Sequence, residues 1–332
     1  MPGPQQPAAS ETAPGLQQIV PSVIADYLEA IKHRIKPSTY GVYLRYLENH
    51  IAPYFEGVAC SQLNPKAVQD FIGSQALNGL SAATSKTVLG FLKKGLGGVL
   101  PVSMYAVDMP GLESCRIDVT IDEQKRLESR RIDVLTIDEQ KRLEAAVSVS
   151  DATDRVGITL CLYTGIRIGE LCGLMWGDID FPGRQMHVRR TAQRVRSAEG
   201  GARTQVVLLE PHNSQSGRSI PLQDFVLKLL WEHRPLSLGG HVLSRNGEAI
   251  EPRNMQYRFK RLLKSAGIRP VPFQATRHTF AARALESGFD LGSLSEILGH
   301  SSPAVTLKTY GHLLSAEDRK RLGMDSLAAI HK

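Results

Sequence analysis

The sequence is poor in cysteine and shows no sign of a metal site. Its four cysteines form no CxxC pair, and none has a histidine partner at zinc-finger distance. Cys161 and Cys172 fall in apolar helical sequence, where a free cysteine behaves as a small hydrophobic residue. We therefore expect a protein of the reducing cytoplasm that holds no metal and no other cofactor.

Membrane and secretory features are also missing. No run approaches the roughly 18 apolar residues of a membrane helix, and the N-terminus has no basic patch followed by an apolar core. The 332 residues are 42% hydrophobic and 22% charged, which is typical of a globular protein with two domains. The net charge of +7 favours a polyanionic partner, although a similar excess is common in proteins that never bind DNA.

The N-terminal third divides into a tail and a helical domain. Residues 1–18 are rich in proline, glutamine, alanine and serine, and we expect them to be disordered because they cannot bury a core. Apolar residues then recur at helical spacing, with helix starts indicated at Pro37, Asn64 and Ser81. The pattern predicts an all-helical domain over 19–108.

Basic side chains on the last of these predicted helices are candidates for nucleic-acid binding. Lys86, Lys93 and Lys94 follow the helix start at Ser81. A solvated helix face is at least as common an interpretation of each lysine. The helices alone therefore predict a bundle and no particular function.

A near-repeat separates the two predicted domains. Residues 116–128 recur at 131–144, with Leu135 as the one additional residue. Two copies are too few for a solenoid, which needs about three or more, so a local tandem duplication is the better explanation. Each copy carries a Thr-x-x-Glu capping box. We expect the second copy to begin a domain over 135–332, and residues 109–134 to form a linker.

The second domain is predicted to be mostly helical with one small antiparallel sheet. Apolar and polar residues alternate over 184–195 and 204–210, as in strands, and another short strand is expected at Ser219. Helical patterns occur from Asp154, near Arg167 and Asp224, over 252–266, 274–287 and 291–298, and after Ser302. The predicted fold class is thus mainly α with a small antiparallel β-sheet, in two domains.

Two arginines lie where a turn or a helix end fixes them. Arg167 follows the glycine turn at Gly165, and Glu170 lies on the same helical face, placed to hold its guanidinium. Arg277 lies at a helix start, where N–H groups and the helix dipole favour an anion. Arginine offers phosphate a bidentate match that lysine lacks. A purely structural ion pair explains Arg167 and Glu170 equally well.

A histidine and a tyrosine lie one short helix apart near the C-terminus. His300 follows a helix that ends at Gly299, and we expect it to point away from the core. Tyr310 lies on the next helix among polar neighbours, which suggests a position beside a wet cleft. For an isolated pair, core or surface is the usual interpretation. Together with the two arginines, the pair forms a candidate site for DNA phosphate.

These motifs together resemble those of the tyrosine recombinases, also called phage-type integrases. Residues 164–310 contain, in order, Thr-Gly-x-Arg-x-x-Glu-Leu, x-x-x-Arg-His-Thr-Phe-Ala, Leu-Gly-His-Ser and Thr-x-x-x-Tyr. Residues 19–100 are similar to the family's core-binding domain, including a Leu-Ser-x-x-Thr stretch that begins at Leu80. The resemblance implies a two-domain DNA clamp, made of a helical DNA-binding domain and a catalytic domain with a C-terminal helix.

The resemblance also implies a mechanism. Tyr310 would attack a DNA phosphate, leaving a 3′-phosphotyrosine and a free 5′-hydroxyl. Arg167, Arg277 and His300 would hold the non-bridging oxygens as charge develops on phosphorus, so neither metal nor ATP is required.

Two positions depart from the family pattern. Where the family usually has a lysine that protonates the leaving 5′-oxygen, this chain has His212, which is only partly charged near neutral pH. The family's His-x-x-Arg motif begins here with Gln274, which can donate a hydrogen bond to phosphate but cannot shuttle a proton. We include both in the predicted catalytic set, and we expect Arg218 and His278 to contact DNA.

The implied partners are double-stranded DNA with a specific inverted-repeat core site and further copies of the chain, assembled on DNA as a tetramer. A last helix after Ser315 would pack onto a neighbouring protomer or, alternatively, onto its own domain. Two other functions stay open: a non-cleaving DNA-binding protein derived from a recombinase, and DNA relaxation of the type IB topoisomerase kind.

Overall fold

The structure, a computed structural model, describes residues 16–100, 132–196, 204–210, 217–236 and 240–313. These residues form two compact units, one of 16–100 with 195 and 196, the other of the remainder. No helix in the described segments is long and apolar enough to cross a membrane.

The N-terminal unit is built from helices that begin where the sequence predicts. The Asn64 side chain accepts the Ala67 N–H at 2.8 Å and the Ser81 hydroxyl accepts the Thr84 N–H at 3.2 Å, so both residues are N-caps. The helices are α1 (Val20–Ile31), α2 (Pro37–Tyr46), α3 (Ala52–Tyr54), α4 (Pro65–Leu77) and α5 (Ala82–Leu96), with a π-helical turn at Leu47–Ile51 and a 3₁₀ turn at Cys60–Gln62.

The core of this unit extends further toward the N-terminus than expected. Leu16 packs against the buried helix faces, and its carbonyl oxygen accepts a hydrogen bond from the Ser61 N–H at 2.9 Å. The Gln18 carbonyl accepts the Cys60 N–H at 2.9 Å. The prediction of disorder is therefore wrong for residues 16–18, because an apolar side chain and two backbone acceptors find partners. Residues 1–15 lie outside the described segments.

The second unit is mainly helical, as predicted. Its helices are α6 (Ile137–Ser148), α7 (Ala152–Thr164), α8 (Ile168–Cys172), α9 (Asp224–His233), α10 (Pro252–Ser265), α11 (Ala275–Glu286), α12 (Leu291–Leu298) and α13 (Pro303–Tyr310), with 3₁₀ turns at Trp176–Asp178, Arg234–Leu236 and Gly311–Leu313. Helix α7 is buried along most of its length, and α6, α9, α10 and α11 pack around it. It forms the centre of the core that carries the candidate site.

The described residues of this unit contain three small sheets where the sequence suggested one. The strands are β1 (Ile179–Asp180), β2 (Gln185–Val188), β3 (Thr191–Arg196), β4 (Thr204–Leu209), β5 (Arg218–Pro221), β6 (Ser244–Arg245) and β7 (Glu248–Ala249). β2 pairs antiparallel with β1 and β5, β3 pairs with β4, and β6 pairs antiparallel with β7. The class, mainly α with small antiparallel sheets, is confirmed.

The strand predicted over 184–195 is interrupted in its middle. β2 ends at Val188 and β3 begins at Thr191, and between them Arg190 turns to Asp178, with 2.7 Å between Nη1 and Oδ2. Asp178 is buried, and Arg190 supplies a cationic partner for it at the point where the strand is interrupted. The antiparallel register of β2 and β5 pairs Val188 with Arg218, the first residue of β5, and so sets the position of the Arg218 side chain.

The repeated segment starts a helix at its second copy, as predicted. The Thr136 hydroxyl accepts the Glu139 N–H at 3.1 Å, and the Glu139 carboxylate accepts the Thr136 N–H at 2.9 Å, which completes the capping box of α6. The first copy and the predicted last helix lie outside the described residues.

Candidate active site

The Arg277 guanidinium lies at the centre of the candidate site and is 2% exposed. Its Nη1 donates to the Gly165 carbonyl at 2.7 Å, and its Nη2 donates to the Leu298 carbonyl at 2.7 Å. Those carbonyls belong to the C-terminal ends of α7 and α12, where the helix dipole is negative. Two helix ends therefore hold a buried positive charge, and within the described segments Arg277 bonds to carbonyls and to His300.

Two glycines make this close packing feasible. Gly165 and Gly299 end α7 and α12 in the left-handed conformation, with φ of 64° and 63°. A Cβ on Gly165 would lie 2.6 Å from Phe280, and one on Gly299 would lie 2.9 Å from the Arg218 Nη1. Both predicted helix ends are thus confirmed, and both residues also leave room for the groups of the site.

A second set of contacts positions Arg167. Its Nη1 donates to Glu170 Oε1 at 2.8 Å, as the spacing predicted, and its Nη2 donates to the Gly299 carbonyl at 3.1 Å. Its side chain is 36% exposed, more than that of Arg277. Glu170 and the Gly299 carbonyl therefore hold Arg167 in place, while part of its guanidinium remains open to solvent.

Glu170 is shared between two arginines. Arg218 donates from Nη1 to Oε1 at 3.1 Å and from Nη2 to Oε2 at 2.9 Å, and its Nε donates to the Ile297 carbonyl at 2.6 Å. Burial alone would raise the pKa of Glu170, but Arg218 and Arg167 outweigh it, so the pKa lies below its usual value. The carboxylate is ionised and holds both guanidinium groups.

The position of Arg218 departs from the expectation of direct DNA contact. Its side chain is only 6% exposed and lies against Glu170. This pairing follows from the β2–β5 register, a long-range feature with no local sequence signal. We infer that Arg218 positions Glu170, and through it Arg167.

Removing the shared carboxylate should destabilise the fold. Glu170→Ala leaves the buried Arg218 without its ionic partner, and such losses cost about 3–5 kcal/mol in the free energy of unfolding. Asp138→Ala is a matched control, since Asp138 pairs with Arg142 one helical turn away but is 80% exposed. The control should lose less than about 1 kcal/mol. Urea unfolding of both variants measures the difference, and equal losses would contradict the argument.

His300 lies next to Arg277 and is half-buried. Its Nε2 is 3.0 Å from Arg277 Nη2, and its Nδ1 is 2.8 Å from the hydroxyl of Thr306, a fully buried residue. A guanidinium only donates, so Nε2 accepts and the ring proton lies on Nδ1. Burial, together with the charges of Arg277 and Arg167, lowers the pKa of His300 to about 4. His300 is thus neutral at neutral pH.

Tyr310 is the last residue of α13 and lies in the same cluster. Its ring stacks on His300 with 6.3 Å between centroids and packs among apolar side chains that include Leu294 and Leu298. The expected wet cleft is wrong for this structure, because Tyr310 is 1% exposed and its polar neighbour Thr306 is buried as well. Thr306 and Tyr310 are four residues apart on α13, so they lie on the same face of the helix, and that face is buried although its neighbours are polar.

The Tyr310 hydroxyl has two polar partners. It lies 2.9 Å from Nδ1 of His278, and it is hydrogen-bonded to Arg277. Burial raises the pKa of Tyr310, although Arg277 and Arg167 act in the opposite direction. His278 was expected to face DNA, but the structure places its ring edge-on against Tyr310 at 5.6 Å. No local pattern indicates this contact, which joins α11 to α13.

The remaining predicted residues are exposed, lie in the N-terminal unit or fall outside the described segments. Gln274 is exposed at the N-cap of α11, and its side chain does not cap that helix. His212 lies outside the described residues. In the N-terminal unit, Lys86 and Lys94 are exposed on α5 and Lys93 is half-buried, so their contact with DNA stays a prediction.

The cysteines behave as their apolar surroundings indicated. Cys161 and Cys172 are free and buried beside the site, and burial raises the pKa of both thiols. Such thiols are unreactive, so neither is a candidate nucleophile.

Comparison with known proteins identifies relatives of both units. The phage integrase family model matches residues 133–317, and the model for the phage integrase N-terminal SAM-like domain matches residues 20–74. The tyrosine recombinase XerC-like protein of Caldanaerobacter subterraneus subsp. tengcongensis is 27% identical over 313 residues, covering 86% of this chain and 77% of that protein. The tyrosine recombinase XerA of Thermococcus kodakarensis is 29% identical, with coverage of 60% and 69%.

Solved structures of integrases share the fold. The Tn1549 transposon integrase in complex with transposon right end DNA has a TM-score of 0.73 at 22% identity, covering 94% of this chain and 100% of that chain. A lambda integrase dimer bound to a COC′ core site has a TM-score of 0.60 at 19% identity, with coverage of 87% and 97%. Because the family model spans the segment that carries Arg167, Arg277, His300 and Tyr310, this chain belongs to the phage integrase family, the tyrosine recombinases.

Proposed function

We propose that this chain cleaves and rejoins double-stranded DNA at a specific site through a 3′-phosphotyrosine link on Tyr310. The observation that carries the proposal is the position of the Arg277 guanidinium. It contacts both His300 and the Tyr310 hydroxyl. The anion-binding guanidinium and the nucleophilic hydroxyl are therefore direct neighbours. All three residues belong to one unit and are fixed by its core.

In the proposed reaction, the site stabilises charge that develops on phosphorus. The Tyr310 oxygen bonds to phosphorus as the bond to the 5′-oxygen breaks, and negative charge accumulates on the non-bridging oxygens. Arg167, partly open to solvent, and Arg277 supply the positive charge, and His300 accepts a hydrogen bond from Arg277 that orients its guanidinium. These groups are already oriented by helix-end carbonyls and Glu170. Tyr310 is 1% exposed in the structure, so it must become accessible before it reaches phosphorus.

The leaving 5′-oxygen needs a proton. We assign this role to His212, which replaces the lysine usual in the family. The covalent phosphotyrosine retains the energy of the broken phosphodiester, so a 5′-hydroxyl from another strand reverses the step and exchanges strands.

Relatives and neighbours suggest the DNA and the assembly. One neighbour is a lambda integrase tetramer bound to a Holliday junction, with a TM-score of 0.60 at 19% identity. We propose that this chain likewise assembles as a tetramer on a duplex with inverted repeats, with Lys86, Lys93 and Lys94 of the N-terminal unit contacting the phosphate backbone. Its site of action would be the cytoplasm, where such DNA is accessible.

Covalent capture tests the proposal. A duplex site is first selected from a random library by binding to the full-length chain, and a nick is then placed beside each candidate phosphate. The chain should form an SDS-stable adduct with one nicked strand, and mass spectrometry should map the nucleotide to the peptide that contains Tyr310. Binding without any adduct would indicate a non-cleaving DNA-binding protein. Relaxation of any supercoiled plasmid without the selected site would indicate a topoisomerase.

A further inference from the structure

Two histidines contact Tyr310, and they differ in what their ring nitrogens do. Both nitrogens of His300 are engaged elsewhere, Nε2 with Arg277 at 3.0 Å and Nδ1 with Thr306 at 2.8 Å. His278 instead directs its Nδ1 at the Tyr310 hydroxyl, at 2.9 Å. Only the second geometry allows a proton to leave the hydroxyl directly for an imidazole.

The donors around the hydroxyl allow the phenol to donate this hydrogen bond. Arg277 also bonds to the Tyr310 oxygen, and a guanidinium has no acceptor. The tyrosine oxygen therefore accepts from Arg277, and its own hydrogen is free to point at His278 Nδ1. This arrangement requires a neutral His278 with its proton on Nε2.

The surroundings keep His278 in that neutral form. Burial and the charge of Arg277 lower its pKa from the usual 6.5, while Asp133 acts weakly in the opposite direction. Among the described residues, Tyr310 and His300 also face it, and both are uncharged at neutral pH because burial shifts their pKa values in that direction. His278 thus has an available lone pair at neutral pH.

A base is needed because the nucleophile is a protonated phenol. Burial holds the pKa of Tyr310 above its usual value of 10.0. Gln274, which begins the His-x-x-Arg-like segment, is exposed and has no titratable group. The phenol therefore needs another acceptor for its proton.

We propose that His278 is the general base for Tyr310. As the phenol oxygen bonds to phosphorus, its O–H bond breaks and the proton moves to Nδ1 of His278, while the P–O5′ bond breaks and the leaving oxygen is protonated by an acid. On rejoining, His278 returns the proton to the departing tyrosine. The inference rests on the proposed function, and it adds a catalytic residue to the Arg167, Arg277 and His300 set.

His278→Asn separates proton transfer from packing. The asparagine amide occupies the place of Nδ1 and still forms a hydrogen bond, but it cannot accept a proton. Single-turnover cleavage of the nicked, library-selected duplex should slow by about 100-fold or more, with binding to that duplex unchanged. His187→Asn is the matched control, since Nδ1 of His187 also lies 2.8 Å from a hydroxyl, that of Ser219, and it should change the rate by less than about two-fold.

The pH dependence and the acidity of the phenol give readouts that a packing role would not alter. Wild-type cleavage should fall as pH drops through the pKa of His278, below 6.5, because protonation removes the base. In His278→Asn this limb should vanish. A more acidic fluorotyrosine at 310 should accelerate His278→Asn by about ten-fold or more and wild type much less.

Distinct outcomes separate this inference from the proposed function. If wild type forms no adduct, the recombinase function itself fails. If wild type cleaves and His278→Asn cleaves at a similar rate, or slows without the change in pH profile and without rescue by fluorotyrosine, His278 is not the base. Nitrogen-15 NMR of histidine in the unmodified, full-length chain is independent of the variant's folding. It should show His278 neutral with its proton on Nε2, and a proton on Nδ1 would overturn the proposal.

Discussion

Tyr310→Phe should form no covalent adduct with DNA and should bind the selected duplex as tightly as wild type. The change removes one oxygen and leaves the ring, so packing against Leu294, Leu298 and His300 is retained. Loss of the hydroxyl also removes its hydrogen bond to His278, with a cost of about 1 kcal/mol in the free energy of unfolding. Denaturing gels with end-labelled nicked duplex measure the adduct, and gel shifts measure binding.

Tyr163→Phe is the matched control for this variant. The Tyr163 hydroxyl also donates to a side chain, the Glu144 carboxylate at 2.8 Å, and burial raises the pKa of Tyr163 to about 12. It lies on α7, and it should form the adduct at the wild-type rate. An adduct of undiminished yield from Tyr310→Phe would show that another residue is the nucleophile and would refute the assignment.

Arg277→Lys should reduce the cleavage rate by about 10²–10³-fold, the range found when one preorganised donor to a transition-state oxygen is removed. The two Nη atoms of the guanidinium bond to the Gly165 and Leu298 carbonyls and to His300 at once. A lysine has a single ammonium nitrogen and cannot reach all three acceptors in this geometry. Burial and Arg167 already lower the pKa of Arg277 to about 10. Lysine starts from about 10.4, so the same surroundings would lower its pKa toward neutrality and weaken its charge at mildly basic pH.

The cleavage rate of Arg277→Lys should also depend on pH in a characteristic way. The residual activity of Arg277→Lys should fall as pH rises above neutral, because the buried ammonium loses its proton. Arg283→Lys on the same helix is the control, since Arg283 pairs with Glu286 at a more exposed position. Single-turnover rates across pH should show a loss confined to Arg277→Lys. Equal losses in both variants would assign the effect to packing of α11.

Local features of the fold could be predicted because their causes lie within a few residues. The capping box at Thr136, the N-caps at Asn64 and Ser81, and the helix ends at Gly165 and Gly299 each depend on one side chain or one glycine conformation. The Arg167–Glu170 pair was predictable for the same reason, since both residues lie on one helical face.

Long-range features of the site were beyond the sequence. Arg218 reaches Glu170 only through the register of β2 and β5, and nothing near either residue indicates the pairing. The polar residues around Tyr310 suggested exposure, yet helical periodicity and tertiary packing turn both Tyr310 and Thr306 inward. His278 and Tyr310 are 32 residues apart, so their contact depends on how α11 and α13 pack.

The concentration of positive charge in the site couples the stability of the catalytic unit to its DNA. Burial and, after it, the charges of Arg167 and Arg218 lower the pKa of Arg277, so the folded chain holds this guanidinium at a cost. A phosphate that enters the site would offset that cost, and the unfolded chain has no such site. By mass action, a ligand at 100 times its Kd raises the free energy of unfolding by about 2.7 kcal/mol. DNA would thus act on this unit as a folding ligand as well as a substrate.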